Sequence, residues 1–244
     1  MTHRIIVLVL FLGSVLALNA DTIRLNALDS GWYMSDGFHS STNQNYVAGN
    51  TIGLEHRDFF VFDLSGVSGP ITSAELSLFN PCATCAPENF DGYLSPNASE
   101  TYQVTNVNTP VATLEASNTG AVSIFSDLGT NTLYGAQSVS AADDGQQVLI
   151  ALNGDAIAAL SASTGLFAFG GRLIGLPANP ARADNEVIFA ATDGVPTDKL
   201  QLILTTAGGT TSAVPEPAAL PIAGAALLAV SVLNRTRPSR DQSV

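Results

Sequence analysis

Aromatic and amide side chains are concentrated in the stretch 31–49, near the start of the chain. It contains Trp32, Tyr33 and Tyr46, with consecutive amide side chains at 43–45. An aromatic ring offers a flat apolar face to the C–H face of a sugar ring, and amides hydrogen-bond to hydroxyls. We therefore predict that a sugar binds against Trp32, Tyr33 or Tyr46. The alternative is that Trp32 fills the core of the domain, as large aromatic residues commonly do.

Carboxylates acting in pairs can cleave glycosides, because a glycosidase needs two of them flanking the scissile bond. The candidates are Asp29, Asp36, Glu55, Asp58 and Asp63. Asp58 and Asp63 lie at opposite ends of one predicted strand with an odd spacing, so they point to opposite faces and do not form a pair. For Asp63 we expect an Asx hydrogen bond that caps the next turn. Arg57 is expected to neutralise a partly buried carboxylate.

Motifs of the common enzyme classes do not occur in the sequence. There is no Gly-x-Ser-x-Gly elbow, P-loop, Gly-x-Gly-x-x-Gly or His-Glu-x-x-His. His39 and His56 are the candidate bases, and we expect both to be loop residues without a chemical role. A Ser–His–Asp triad stays open, because its members meet only in space. We predict no catalytic residue, no enzyme and no cofactor.

Candidate metal ligands occur at two places. Cys82 and Cys85 are the two cysteines of the chain, and in an oxidising compartment they favour a short-loop disulfide. A redox pair and a zinc site are the alternatives; prolines flank the motif, and the three histidines offer no zinc spacing. The run 143–145, Asp-Asp-Gly, is typical of a turn, with calcium as the alternative. We predict no metal site.

The elements that must position these residues are mostly strands. Period-two alternation or short apolar runs, separated by turn signals, predict nine strands: Thr22–Leu28, Asp58–Leu64, Thr72–Phe79, Thr101–Val107, Thr132–Val139, Gln147–Leu152, Leu166–Phe169, Val187–Ala190 and Lys199–Thr205. One helix is predicted at Asp155–Ala162, capped by Asn153 or Asp155. The fold class is therefore all-β, a β-sandwich of jelly-roll type with one short helix.

One stretch of the domain carries a family resemblance. Arg57–Ser65, followed by Ile71–Leu76, resembles the R-x-x-x-x-F-D-L-S … I-x-S-A-x-L pattern of secreted jelly-roll domains in cell-wall and carbohydrate-associated bacterial proteins. It covers about a tenth of the chain. The resemblance implies a sandwich that binds or lies among polysaccharide, and it names no ligand.

The first twenty residues have the pattern of a secretory signal peptide. A basic start, Met1–Arg4, precedes the apolar run Ile5–Leu12 and a small-residue cleavage region. Cleavage after Ala20 and cleavage after Ala17 both fit. We predict a signal peptide at 1–20.

The other end of the chain has three parts in a fixed order. Pro215-Glu216-Pro217 is followed by the apolar segment Ala218–Leu233 and then by three arginines, Arg235, Arg237 and Arg240. The apolar segment predicts a transmembrane helix, although roughly 20 residues are needed to span a bilayer. The arginines would stay on the cytoplasmic side. The small-residue stretch 207–213 predicts a flexible linker.

This order of parts resembles the PEP-CTERM sorting signal of Gram-negative bacteria. The resemblance covers about the last thirty residues and implies an exosortase-type membrane enzyme as processing partner. By resemblance, Pro215, Glu216, Pro217, Arg235 and Arg237 are recognised as a substrate's residues. The predicted organisation is a signal peptide at 1–20, a β-sandwich at 21–206, the linker at 207–213 and a sorting tail at 214–240.

Charge narrows the class of function. Five basic residues lie in the predicted body, against 19 acidic ones once Glu216 and Asp241 are removed from the total of 21, which gives a net charge of −14 (5 − 19). Nucleic-acid binding needs clustered cations and is not predicted. We predict an exported, non-enzymatic envelope or matrix protein, anchored in the inner membrane before processing and associated with exopolysaccharide. A secreted carbohydrate-active hydrolase or lyase and a structural adhesin are the alternatives.

Overall fold

The computed structural model describes residues 20–51, 53–82, 92–176, 186–190, 192 and 195–207. All of them belong to Met1–Gly208, the first of two compact units. Apart from Ala20 and Ala207, the predicted signal peptide, linker and sorting tail lie outside these residues. Within the described part, no helix is both long and apolar enough to cross a membrane.

Eleven strands form two antiparallel sheets in the described part of the chain. They are β1 Ala20–Asn26, β2 Asp29–Met34, β3 Ala48–Thr51, β4 Leu54–Asp63, β5 Ile71–Asn80, β6 Glu100–Asn106, β7 Leu133–Val139, β8 Gln146–Ala151, β9 Leu166–Ile174, β10 Glu186–Ile188 and β11 Gln201–Ala207. The smaller sheet has the order β1-β11-β5-β8. The larger has the order β10-β3-β4-β9-β6-β7, with β2 also paired to β4.

The structure confirms the all-β class and all nine predicted strands, and adds β2 and β3. Alternation decides which side chains enter the core. On β5, Ala74, Leu76 and Leu78 point inward and are buried. On β4 both faces are apolar: Phe60 and Phe62 lie on one side, and Phe59 and Val61 on the other. A strand of this kind must be covered on both sides.

One side of the larger sheet packs against the smaller sheet, and we call this region the inter-sheet core. It combines Phe60, Phe62 and Phe169 of the larger sheet with Leu76 and Leu202 of the smaller one. Ring pairs such as Phe62 with Phe169, whose centroids lie 6.0 Å apart, meet edge to face. Two sheets with a shared apolar interior make the described body a β-sandwich-like domain.

The other side of the larger sheet is covered by two helices, and we call it the helix-covered face. Helix α1 spans Val111–Leu114 and helix α2 spans Val122–Thr130. Leu114, Ile124, Phe125 and Leu128 pack there against residues of β2, β4 and β9. The prediction of a single helix was therefore wrong, because neither helix has the side-chain N-cap that marks a start in sequence.

The predicted helix exists as α3, Gly154–Ala162. Asn153 is its N-cap, because its side-chain oxygen accepts a hydrogen bond from the Ala156 N–H at 3.0 Å. Ala156 and Leu160 bury their side chains in the inter-sheet core. The helix therefore carries the chain from β8 in the smaller sheet to β9 in the larger one while burying an apolar stripe.

A short connection between the sheets creates the corner where the candidate site lies. The chain passes from β1 in the smaller sheet to β2 in the larger one through Ala27 and Leu28. The Ala27 N–H donates to the Leu200 carbonyl at 3.0 Å, and the Leu28 N–H donates to the Val61 carbonyl at 2.8 Å. Both N–H groups of this connection therefore donate to carbonyls in neighbouring strands or directly beside them. These hydrogen bonds fix the position of the corner in the fold.

Candidate functional site

The three aromatic residues predicted to stack on a sugar are buried. Tyr33 is fully buried, Tyr46 is 2% exposed and Trp32 is 7% exposed. Stacking needs a ring face open to solvent, so the exposed platform on which that prediction depended is missing at these positions. Trp32 packs against Phe38 and His56, whose ring centroids lie 6.0 and 5.1 Å from its own.

Tyr33 and His39 form a buried polar layer beneath α1. The Tyr33 hydroxyl donates to the Leu114 carbonyl at 2.9 Å, and its ring stacks on His39 with centroids 4.6 Å apart. His39 Nδ1 donates to the Trp32 carbonyl at 2.9 Å, because a carbonyl oxygen only accepts. Nε2 is buried and has no partner among the described residues. The expectation that His39 is an ordinary loop residue therefore misses its burial.

Tyr46 is the one of the three predicted aromatic residues that lines a described cavity. At the corner between β1 and β2 lies a cavity of about 230 Å³, which we call the corner cavity. Its described lining is Ala27, Leu28, Asp29, Ser30, Gln44, Tyr46, Thr192, Val195, Pro196 and Leu200. Concave sites with an apolar wall and a few converging polar groups are the usual form of ligand sites.

Asp29 is the charged group of the corner cavity. Its Oδ1 accepts hydrogen bonds from the Ser30 N–H at 2.9 Å and from Gln44 Nε2 at 3.0 Å. Its Oδ2 has no hydrogen-bond partner among the described residues. Two donors on one oxygen fix the orientation of the carboxylate, so the other oxygen is held in place for a ligand.

The corner carries a negative potential. None of the described lining residues is basic. Lys199 precedes a lining residue, but its ammonium lies over the Phe79 ring, 5.7 Å from the centroid. Burial, and beyond it the negative charge of Asp29, raises the pKa of the Glu115 carboxyl. Glu115 therefore lies close enough to Asp29 to add to the negative charge near the corner.

Tyr46 separates the corner cavity from a buried acid in the inter-sheet core. Asp58 is fully buried, and its Oδ1 accepts a hydrogen bond from the Tyr102 hydroxyl at 2.6 Å. Its Oδ2 has no partner among the described residues. Burial raises the pKa of Asp58 to about 7, although the hydrogen bond from Tyr102 opposes that rise. Burial, followed by the charge of Asp58, raises the pKa of Tyr102 well above its usual value.

The backbone around this acid is specialised. A side chain at Gly171, on β9, would overlap the Tyr102 hydroxyl and Asp58 Oδ1, so only glycine leaves room for their hydrogen bond. Phe189 contacts Tyr46 and Tyr102, with ring centroids 5.8 and 5.2 Å away. It has a φ of +56°, a left-handed conformation that is uncommon outside glycine, asparagine and aspartate. Its N–H donates to Asn80 Oδ1 at 3.1 Å, which helps to hold it.

Asp58 and Asp63, which the strand spacing predicts to lie on opposite faces, do not form a carboxylate pair. Asp58 faces the inter-sheet core, while Asp63 is partly exposed at the end of β4. As expected, Asp63 Oδ1 accepts from the Ser65 N–H at 2.8 Å, and this hydrogen bond lowers the pKa of Asp63. As expected, Arg57 pairs with a partly buried carboxylate, that of Glu55, at 2.8 Å. These carboxylates therefore serve turns and ion pairs.

The candidate metal ligands also have structural roles. Asp143 caps a short 3₁₀ turn by accepting from the Ser140 N–H at 2.7 Å. Asp144 Oδ1 accepts from Asn80 Nδ2 at 2.8 Å. Among the described residues, no group of three or more His, Cys, Asp or Glu side chains could hold a metal ion. Cys82 is disulfide-bonded; Cys85 lies outside the described residues, as do the sorting residues Pro215, Glu216, Pro217, Arg235 and Arg237.

The sequence search missed most of the corner cavity. From the sequence, Asp29 is placed only among the candidate catalytic carboxylates, and no binding role is predicted for Leu28, Ser30 or Thr192. One signal was present in the sequence, because Leu28 is a large apolar residue at the end of the predicted strand Thr22–Leu28. In the structure Leu28 is 59% exposed. Thr192 joins the site from 146 residues away in sequence, by accepting from the Tyr46 N–H at 2.8 Å.

Comparison with known proteins assigns no family to this arrangement. No protein-family model matches the chain, and no curated protein matches it.

Proposed function

We propose that this chain is an exported, non-enzymatic protein of the cell envelope or extracellular matrix. Its tail is sorted by an exosortase-type enzyme as in PEP-CTERM proteins, and its sandwich associates with exopolysaccharide. The single observation that carries the proposal is the pairing of the first strand with the last. Ala20 lies opposite Ala207, and the register continues to Asn26 opposite Gln201.

This pairing supports removal of both ends of the chain. Strand β1 begins at the predicted cleavage region, and β11 ends where the predicted linker begins. Each of the two terminal strands is held by the other, so their pairing uses no residue of the signal peptide beyond Ala20 and none of the sorting tail. Because Ala20 itself is paired, we favour cleavage after Ala17, which leaves β1 intact.

The finer fold proposal is a jelly roll. If β2, β3 and β10 are set aside, eight strands remain and pair as a rolled-up hairpin. The first pairs with the last, β4 with β9, β5 with β8 and β6 with β7. Successive strands alternate between the two sheets, apart from β6 and β7. This nesting supports the jelly-roll frame, which is common in lectin and capsid domains.

Charge supports a location among neutral or cationic polymers. The described residues include four basic ones, of which Arg57 and Arg172 lie beside α2 on the helix-covered face. The exposed cations that remain are Arg24 and Lys199, and Arg24 donates to Gln201 at 3.3 Å. Phosphate backbones need clustered cations, so nucleic acid is not a suitable partner. The disulfide at Cys82 supports an oxidising compartment.

A binding role is supported over catalysis by the corner cavity. Asp29 is the one carboxylate among its described lining residues, whereas glycoside cleavage needs two. The described lining has polar groups and an apolar wall suited to a sugar, and it includes no second carboxylate.

Fractionation in the native host, or in a Gram-negative host with an exosortase, tests the proposal. We expect wild-type protein to appear outside the cytoplasm, shortened at its tail. Replacing the sorting motif as P215A/E216A/P217A should leave an uncut protein in the membrane fraction. The control is T210A/T211A/S212A in the adjacent linker, which should be processed normally. Uncut wild-type protein in the cytosol would overturn the proposal.

A further inference from the structure

We infer that the corner cavity binds a protonated amino sugar, as one residue of a polysaccharide or at its end. The inference rests on the proposed association with exopolysaccharide and names the sugar chemistry that the site selects. It is carried by three properties of the lining residues: charge, hydrogen-bonding polarity and an apolar wall.

Charge favours a cationic ligand. Asp29 has one carboxylate oxygen without a partner among the described residues, and the described lining residues include no basic side chain. An ammonium group placed beside Asp29 Oδ2 would form a charge-assisted hydrogen bond, which is roughly twice as strong as a neutral one. A carboxylated sugar would instead be repelled by Asp29 and by nearby Glu115.

Hydrogen-bonding polarity also favours a ligand that donates. The Ser30 hydroxyl donates to the Gln44 carbonyl at 2.7 Å, so its oxygen is left as an acceptor. The Gln44 side-chain amide donates to Asp29, and the Thr192 hydroxyl donates to Asn45 Oδ1 at 3.2 Å. The hydroxyl donors of Ser30 and Thr192 are engaged inside the protein, so these two groups offer lone pairs to the cavity, while the second N–H of the Gln44 amide stays available. An amine and hydroxyls match such lone pairs, whereas an N-acetyl group lacks the positive charge that would pair with Asp29.

The apolar wall and the volume suit a ring of modest size. Leu28, at 59% exposure, faces the cavity together with Val195 and Pro196. The C–H face of a sugar ring can pack on such side chains and remove their surface from water. At about 230 Å³ the cavity lies below the roughly 300–1,000 Å³ of drug-sized pockets. It therefore accommodates one sugar residue rather than a long segment of chain.

The test uses the processed protein purified from its host, titrated calorimetrically with three trisaccharides of equal length: β-1,4-linked glucosamine, N-acetylglucosamine and glucose. We expect glucosamine to bind at least about tenfold more tightly than the other two, because it alone supplies the ammonium. Asp29→Asn should weaken glucosamine binding by about tenfold or more. The matched control is Asp21→Asn, an exposed carboxylate on the edge strand β1, which should leave affinity within about twofold.

Two further titrations, one with a second variant and one with a second ligand, separate sugar binding from the other outcomes. Leu28→Ser removes the apolar wall without touching Asp29 and should weaken glucosamine binding several-fold, so the inference does not depend on one variant that must fold. Trilysine tests for a general cation site. Equal affinity of wild type and Asp29→Asn for glucosamine, or trilysine binding at Asp29 as tightly as the sugar, would overturn the inference.

Failure of the inference is distinguishable from failure of the proposed function. If extracted exopolysaccharide or the glucose trisaccharide binds and glucosamine does not, the amino-sugar assignment is wrong and the polysaccharide association stands. If no polysaccharide binds, both are wrong.

Discussion

Arg57 and Asp58 are neighbours on β4, but they face opposite sides of the larger sheet and differ in how many partners their charged groups have. On the helix-covered face, the Arg57 guanidinium donates to Glu55 at 2.8 Å and to the Phe125 carbonyl at 3.2 Å, and it lies 4.1 Å from the centroid of the Phe125 ring. On the other face, Asp58 has one hydrogen bond, from Tyr102, and one buried oxygen without a described partner.

The difference follows from what covers each face. Helix α2 presents the carbonyl oxygens of Phe125 and Ser126 to Arg57, and carbonyl oxygens are suitable partners for a cation. The inter-sheet core is lined by aromatic and aliphatic side chains that offer a carboxylate very little. The guanidinium of Arg57 is therefore paired by its surroundings, while Asp58 makes the stability of the sandwich depend on pH.

The largest expected effect is the pH dependence due to Asp58. Its pKa rises from 3.8 to about 7 on folding, so the folded state holds a proton that the unfolded state releases above pH 3.8. Its stabilising contribution is complete below that pH and is lost as pH rises towards 7. At about 1.4 kcal/mol per pH unit, the loss is about 4 kcal/mol. Urea unfolding at pH 4, 6 and 8 measures it.

Asp58→Asn should remove this slope and unfold at a higher urea concentration than wild type at pH 8. Glu75→Gln, on β5, is the control and should keep the wild-type slope. An unchanged slope in Asp58→Asn would show that this acid is not the source.

A pair of glycine substitutions compares the packing of the two faces. Gly171→Ala forces a methyl group into the Tyr102–Asp58 contact and should cost about 3 kcal/mol. Gly129→Ala, in α2, would place a methyl group 2.6 Å from Arg172 Cδ and 3.1 Å from Arg57 Cδ, both in side chains that can shift, rather than against backbone. Alanine also favours the helix by about 1 kcal/mol, so we expect a net change within about 1 kcal/mol. Chemical denaturation measures both; equal costs would contradict the contrast.

Removing the cation tests the paired face. Arg57→Met removes the hydrogen bonds from the guanidinium to the Phe125 and Ser126 carbonyls and should cost about 2 kcal/mol. Glu55→Gln should cost less than about 1 kcal/mol, because Glu55 is 28% exposed and water replaces part of the interaction. The free energy of unfolding at pH 7 gives both values. A larger loss of unfolding free energy in Glu55→Gln than in Arg57→Met would contradict this account, because it would make Glu55 more important than the α2 carbonyls.

The smallest expected effect comes from Tyr102→Phe, which removes the hydrogen bond to Asp58. We expect a loss of about 1 kcal/mol at pH 5. Because that hydrogen bond lowers the pKa of Asp58, its removal should also extend the decline in stability to higher pH. The pH series used for Asp58→Asn detects the shift, and a decline that moves to lower pH would contradict the assigned partner.

Strands with a clear period were predictable, and the elements without one were not. β5 and β11 alternate cleanly, so their inward residues could be identified from sequence. β2 carries Gly31, where a Cβ would lie 2.7 Å from the Phe59 ring, and a glycine in mid-strand weakens the pattern. Helix α2 has apolar residues at the right spacing, Ile124, Phe125 and Leu128, but serines and a glycine between them hide it.

The sequence identified a stretch of chain that contributes to the site, but not which of its side chains are exposed. The stretch 31–49 does contain Gln44 and Tyr46 of the corner cavity. Sequence does not show which side of an aromatic ring is covered, and here Tyr33 lies under α1, an element that was not predicted. The burial of Asp58 depends likewise on a glycine in β9 more than a hundred residues away.

The most direct test of the central claim is the intact mass of the protein recovered from its native host, with sequencing of both termini. Processing at both ends predicts a chain that starts at Leu18 or Asp21 and stops near Pro215-Glu216-Pro217, leaving β1 and β11 paired. A full-length chain from Met1 to Val244 in the cytosol would contradict export, sorting and the matrix role together.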